Sequence, residues 1–386
     1  MLILGIITGL IILVALVVVH ELGHAIVARR NGVVVEEFGV GFPPRAKAWK
    51  VKHSILGKNV EYSLNWLPLG GFVRLQGEYD SAKNHGDYGK AGYWPKTRIL
   101  LAGVAMNWLA SIVIFTLLAI VGLPKILPNQ FSVPSDTQIN VAGLQVASVG
   151  NGSPASKAGL QIGDEVLLID GKEIQTAVAL AETTKANAGK TVKITYSRAH
   201  EEHTTAATLR ASNADGKGYL GVGSSERTEI RATWSAPIVG VGTTVQLTAE
   251  TFKGLGKLVG NLAIGVVNKI SGDKTAQVHG QRALDEAAGS VSGPIGILGV
   301  IFPQMEQAGI KPLLLLTGII SLSLAVMNIL PIPALDGGRW FVMTIFRVLK
   351  KPLTKEKEEK IQGFGFMVLM GLVMVVTILD VFKILR

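Results

Sequence analysis

The chain has 386 residues, 48% of them hydrophobic, a mean hydropathy of +0.39 and no cysteine. This composition points to a membrane protein and excludes a disulfide framework and thiolate metal ligands, so any bound zinc must be held by His, Asp or Glu. A net charge of +10 would suit nucleic acid, but the basic excess lies in particular loops between apolar runs, so no nucleic-acid partner is expected.

Residues 2–19 carry no charge. As a helix, residues 2–27 would extend about 39 Å, enough for a hydrocarbon core of roughly 30 Å. With no basic region before it and no small-residue cleavage signature after it, this span is expected to be a retained anchor. It contains His20-Glu21-Leu22-Gly23-His24. His20 and His24 lie one turn apart on one face, the spacing that lets two imidazole nitrogens reach one zinc ion, and Glu21 is a candidate general base. On a solvated helix the same pattern can be incidental. Beside lipid, however, three ionisable groups so close together are costly and should face a protein interior or a water-filled cavity. Gly23 would let another helix approach closely.

Further spans are expected at 98–122, 313–332 and 362–383. The loop 28–97 has eleven Lys/Arg against six Asp/Glu, the loop 339–361 has seven against three, and the segment 123–312 has seventeen against sixteen. The two basic loops are therefore expected in the cytoplasm and the large segment outside, with His20 to His24 toward the cytoplasmic end of the first span. Within the first loop, Phe38 to Pro44 is Gly/Pro-rich and suggests a turn or re-entrant segment. Residues 60–77 suggest a strand, a turn at Leu67 to Gly71 and a second strand from Phe72 to Leu75, a hairpin at the membrane surface. His53 and His85 lack a partner at ligand spacing and are expected in solvent. Asn107, inside the second span, is expected to bond to a neighbouring helix.

Residues 141–212 have soluble α/β character, with Gly159, Gly163, Asp164 and Gly171 at turn spacing around an alternating strand. This pattern resembles a PDZ domain of the bacterial protease-associated kind. By that resemblance, Gly143 and Leu144 fall on the loop and strand that capture a peptide by strand addition; a domain that only blocks access is the other reading. Between 213 and 312 the expectation is an extracytoplasmic linker and amphipathic region. There Pro237 to Leu262 forms a surface helix rather than a fifth span, 271–290 forms a mobile linker, and Ser292 to Gly296 restarts apolar sequence.

The third span ends in Asn328-Ile329-Leu330-Pro331-Ile332-Pro333-Ala334-Leu335-Asp336-Gly337-Gly338. Its prolines break the helix at membrane depth, which is tolerated only where backbone is buried in protein or lines a cavity. Alone, Asp336-Gly337 reads as a helix-ending turn. Beside a two-histidine site lacking a third ligand, it reads as a zinc carboxylate.

These two motifs, with Phe38 to Gly41, Leu67 to Glu78, Arg98 to Asn107, the PDZ core and Ser292 to Gly296, resemble the site-2 protease family of zinc intramembrane proteases along nearly the whole chain. The similarity is to the bacterial PDZ-containing type that includes the regulator of sigma-E protease. It implies an α-helical polytopic membrane protein with about four transmembrane helices, an inserted α/β PDZ domain and a membrane-associated β-hairpin. The implied domains are a metalloprotease half at 1–122, the PDZ domain at 141–212, the linker region at 213–312 and a C-terminal membrane half at 313–386. The resemblance implies Zn2+ on His20, His24 and Asp336, Glu21 as catalytic acid/base, and Asn328 holding the substrate backbone. It also implies that Leu67 to Glu78, including Gly70, Gly71 and Phe72, contacts an extended substrate. Zinc with three protein ligands leaves a position for a water of pKa near ~7. The expected enzyme is a multi-pass protein of the inner or plasma membrane, cleaving transmembrane segments of anti-sigma factors or signal-peptide remnants. Its expected partners are transmembrane protein or peptide substrates, the lipid bilayer and an upstream site-1 protease acting on the same substrate. Val104 and Pro43 depart from the proline and glycine frequent in relatives, and only one PDZ core is legible where some relatives carry two. A non-catalytic PDZ scaffold and a metal transporter are the alternatives; the first would be inactive and metal-free. The second would need further polar residues along a pathway, and Gly363 to Leu379 has almost none.

Overall fold

A computed structural model describes residues 2–198, 201–213, 218–270 and 273–385. The chain divides into two compact units, Met1–Phe115 with Gly240–Arg386, and Thr116–Val239. Among the described residues, four helices are long and apolar enough to cross a membrane. The protein is a multi-pass membrane protein.

In the larger unit, helix α1 (Leu2–Arg30) ends on Arg29 and Arg30, which complement the negative end of its dipole. A Schellman turn closes it: the Val33 N–H donates to Ala28 O (3.0 Å), the Gly32 N–H donates to Arg29 O (3.1 Å), and Gly32 takes φ +79°. Strands β1 (Val35–Ser54) and β2 (Gly57–Leu75) follow as antiparallel partners joined at Ile55-Leu56. Both strands are bent. Residues 37–40 pair with 61–64 and also with 71–74, which leaves 71–74 at the sheet margin.

The expected turn at Leu67 to Gly71 is present: Leu64 and Gly71 both pair with Val40, so the chain reverses between them, and the two arms flank residues 37–40 instead of pairing with each other as a hairpin. In the same way Val40 and Lys47 both pair with Leu64, so the chain also reverses through Pro43-Pro44. Glu37 ties these segments together. Its carboxylate is 1% exposed and sits between the Arg45 and Arg74 guanidinium groups, 2.9 Å from each. This doubly paired, buried carboxylate fastens the strand at 37–40 to the reversal at Arg45 and to the margin segment at Arg74.

Helix α2 (Tyr93–Val121) admits Pro95 in its first turn, where no intrahelical N–H is required. It leads into the smaller unit, through β3 (Leu123–Pro124), β4 (Gln138–Val149), α3 (Pro154–Lys157), β5 (Glu165–Ile169), β6 (Lys172–Glu173), α4 (Ala177–Ala186), β7 (Thr191–Arg198), β8 (Glu201–Thr208) and β9 (Val222–Arg231). The sheet order is β3-β9-β4-β5-β7-β8, with β6 on β5. Leu144, Val146, Val166, Ile169 and Ile194 form its buried core with Leu180 of α4. Gly159, Gly163 and Gly171 take positive φ, as turns at those positions require. Asp164 is buried and accepts from Arg198 Nε at 2.7 Å and Nη2 at 2.8 Å.

Returning to the larger unit, α5 (Ala236–Ile270) covers the expected helix from Pro237 to Leu262 and extends beyond it. Of the expected linker 271–290, residues 271–272 lie outside the described residues and α6 (Lys274–Gly289) is a helix, capped by Asp273 Oδ1 on the Thr275 N–H at 3.0 Å. Residues 214–217 of the linker region also lie outside the described residues. A bent helical stretch follows, α7 (Pro294–Gly296), a π-helical turn at Ile297–Ile301 and α8 (Phe302–Gln307). It packs on the start of α1 so closely that a Cβ at Gly5 would lie 2.5 Å from Pro303 Cα. Helices α9 (Ile310–Ile329), α10 (Asp336–Val348) and α11 (Lys355–Leu385) complete the chain. Phe364, Met367 and Met374 of α11 are exposed, as suits side chains that meet lipid.

Candidate metal centre

His20 and His24 are both 7% exposed, on the face of α1 turned toward α2. Gly23 makes the approach possible: a Cβ there would lie 2.6 Å from Ala102 O of α2. Asp336 comes from the opposite end of the sequence. Pro331 and Pro333 end α9, Ala334 takes φ +79° with its N–H on Gln362 Oε1, and α10 starts at Asp336. The paired glycines that follow are required by packing: a Cβ at Gly337 would lie 2.1 Å from Ile329 O, and one at Gly338 1.9 Å from Ile332 O. One turn on, Arg339 locks α10 in place. It donates to Glu78 O and, at 3.0 Å, to Glu358 Oε1, and its guanidinium lies 5.0 Å from the Tyr88 ring centroid. Burial pushes the Tyr88 hydroxyl well above the usual phenol range, so that hydroxyl stays protonated.

The three side chains converge. His20 Nε2 lies 3.0 Å from Asp336 Oδ2, His24 Nε2 lies 3.3 Å from the same oxygen, and the two Nε2 atoms are 3.2 Å apart. A tetrahedral zinc with bonds of about 2.0 Å separates its ligands by roughly 3.3 Å, so the spacing fits one zinc ion. The donor set of two imidazoles and a carboxylate fits as well. His24 Nδ1 donates to Ile99 O at 2.7 Å, which leaves its Nε2 lone pair toward the other two groups. Glu21 stands beside them, its Oε2 accepting from the Val73 N–H at the sheet margin, 3.1 Å away.

A cavity of about 310 Å³ is lined by His20, Glu21, Gly70, Gly71, Asn328 and Asp336, bringing together most of the residues singled out from sequence. A second, of about 130 Å³, touches His24, Glu21 and Asp336 and extends toward Tyr88 and Arg339. Phe72 does not line the first cavity; its ring lies over Gly39, where a Cβ would come within 2.3 Å. His53 and His85 are exposed, as expected.

Gly143 and Leu144 differ from expectation. They lie in β4, which pairs with β9 on one side and β5 on the other, so peptide addition there has no free edge. The reason is a nonlocal partner, since β9 is supplied by residues some eighty positions later. Two contributors were not read from sequence, the Val73 N–H and the Ile99 carbonyl, whereas Asn107 meets a neighbouring helix, α1, as expected. Asn107 is fully buried with Nδ2 3.3 Å from His20 Nδ1. It shares one face of α2 with Ile99 and Gly103 at four-residue spacing.

The profile described as Peptidase family M50 matches residues 8–372. A Clostridium perfringens protein provisionally named a zinc metalloprotease is 31% identical over 97% of this chain and 98% of its own length. The zinc metalloprotease RasP of Geobacillus kaustophilus is 26% identical over 98% of both chains. The regulator of sigma-W protease RasP of Bacillus subtilis is 25% identical over 97% of this chain and 98% of its own. Over 22% of the chain, the PDZ domain of an SdrC-like protein from Listeria monocytogenes aligns at 26% identity and TM-score 0.20, covering 90% of that domain.

Proposed function

Because the chain belongs to peptidase family M50 and is a multi-pass zinc metalloprotease, we propose that it cleaves transmembrane segments inside the bilayer, with His20, His24 and Asp336 holding the zinc and Glu21 moving the proton. One observation carries this reading: a carboxylate brought from 316 residues away onto two buried imidazoles, on a helix with no charged residue before His20. Bound there, zinc would supply Lewis acidity, polarising the scissile carbonyl and bringing the pKa of a water near ~7. Glu21, tethered through Oε2 by Val73, takes the proton of the attacking water and returns it to the leaving amine. A helical substrate must first unwind, because its carbonyls are hydrogen-bonded and shielded. The margin at residues 71–74 offers strand pairing to the unwound segment, and Gly70, Gly71 and Asn328 line the cavity beside it.

The Lys/Arg distribution supports an active site toward the cytoplasm and an extracytoplasmic small unit. Membrane-bound regulators of the anti-sigma-factor kind fit as substrates, by likeness to the regulator of sigma-W protease, as do signal-peptide remnants; an upstream protease would trim their external parts. The small unit, of PDZ type, then limits which external parts reach the membrane site. If it captures an extended peptide, the edge of β9 over residues 222–227 has no strand partner among the described residues, since β3 pairs at Glu229 and Ile230 and the Lys125 N–H takes the Thr228 carbonyl.

The test is Glu21→Gln in purified protein, measuring cleavage of a transmembrane peptide and zinc content together. Cleavage should be lost while zinc stays near one per chain, because the amide cannot accept the proton and the ligands are untouched. Retained cleavage overturns the assignment of Glu21.

A further inference from the structure

We propose that Asn107 orients His20 toward the metal, and that α2 is the template for both imidazoles although it supplies no ligand. The inference rests on the ligand set proposed above. Ile99, Gly103 and Asn107 lie along one face of α2, each doing a different job. The Ile99 carbonyl accepts from His24 Nδ1 at 2.7 Å. Gly103 leaves the space in which the imidazoles meet: a Cβ there would lie 2.4 Å from His24 Nε2 and 2.6 Å from His20 Nε2. Asn107 faces His20 from its Nδ1 side, at 3.3 Å.

The sense of the Asn107 amide decides what His20 can do. As placed, Nδ2 faces Nδ1, and the buried Oδ1 has no partner among the described residues. A ring whose Nδ1 accepts a hydrogen bond in this way keeps its own proton on Nε2, where it cannot ligate. Amide nitrogen and oxygen are nearly the same size, and a half-turn puts Oδ1 on His20 Nδ1. The orphaned oxygen then gains a donor, His20 carries its proton on Nδ1, and Nε2 presents its lone pair to the site. His20 thereby acquires the tautomer that Ile99 already imposes on His24. A helix-packing role is already filled by others: Ser321 Oγ donates to Asn107 O at 2.8 Å, and Ser111 Oγ donates to Gly318 O at 3.1 Å.

Three variants of the full-length protein test this, Asn107→Leu, Asn107→Asp and His20→Ala, with zinc affinity read by chelator competition and the melting temperature of the metal-free protein read alongside. Asn107→Leu should lose about 10- to 100-fold in zinc affinity, the range for removing a partner of a ligating histidine. Asn107→Asp, which keeps an acceptor on Nδ1, should bind zinc as the wild type does. A packing role predicts the reverse order, because leucine fills the space without an unpaired polar atom while aspartate buries a charge. Wild-type affinity in Asn107→Leu, or equal loss in both variants, overturns the proposal. Should Asn107→Leu not fold, Asn107→Ser, whose hydroxyl is too short to reach His20, takes its place with the same expectation. Zinc retained in His20→Ala would instead overturn the ligand set itself, so the two failures are distinguishable.

Discussion

Replacing Gly103 by alanine adds one methyl group where the structure has no room for it. The new Cβ would lie 2.4 Å from His24 Nε2 and 2.6 Å from both Cε1 and Nε2 of His20. That is at least about 1 Å inside ordinary contact distance. Helix α2 cannot withdraw to relieve it, because its backbone at Ala102 is in close contact with Gly23 and its Asn107 carbonyl is bonded to Ser321. The imidazoles must therefore move by a comparable distance, away from Asp336. A displacement of about 1 Å at a reacting centre costs on the order of 10²-fold in rate, and overpacking of this kind costs about 1–3 kcal/mol of stability. Zinc affinity should fall with the rate, since the ligand atoms themselves are displaced. The measurement is chelator competition on the purified variant, with cleavage of a transmembrane peptide in mixed micelles. Gly254→Ala, on α5 with nothing near the added methyl, serves as the control and should behave as wild type. Unchanged zinc affinity and cleavage in Gly103→Ala would refute the close-packed template on which this reasoning depends.

Asp336→Ala should lose zinc and activity together. Asp380→Ala should keep zinc but lower stability by about 1–3 kcal/mol, since it strands two buried donors. Those donors are the Gly293 and Gly296 N–H groups, 3.1 and 2.7 Å from the Asp380 carboxylate oxygens. Full zinc occupancy in Asp336→Ala would show that another group closes the site. The chain has no cysteine, so single cysteines at Ser81 and Ser212 can be labelled in intact cells with an impermeant thiol reagent. Label on Ser212→Cys alone is expected, and label on Ser81→Cys alone would mean the opposite orientation.

Much of this protein is decided locally, and that part is legible in its sequence. The four spans follow from apolar length, and the placement of His20, Glu21 and His24 on one helical face follows from the 3.6-residue period. Gly23 as a site of close helix approach follows in the same way, because a missing side chain has one consequence wherever the helix packs. Asp336 could be chosen because the alternatives were few: no cysteine, and no other carboxylate following a proline-broken span. What the sequence left undetermined concerns partners distant in the chain. Alternating residues announce a strand without naming its neighbour, so the turn at Leu67 to Gly71 is legible while the insertion of residues 37–40 between its two arms is not. Gly143 and Leu144 suited a free edge until β9 was found covering it. Asn107 offered only a polar side chain in an apolar helix. That the neighbouring group it meets is His20 depends on the rotation of α2 against α1, set by Gly23, Gly103 and the close packing they permit. Local periodicity fixes which face of an element is polar; only the packed tertiary structure decides what that face meets.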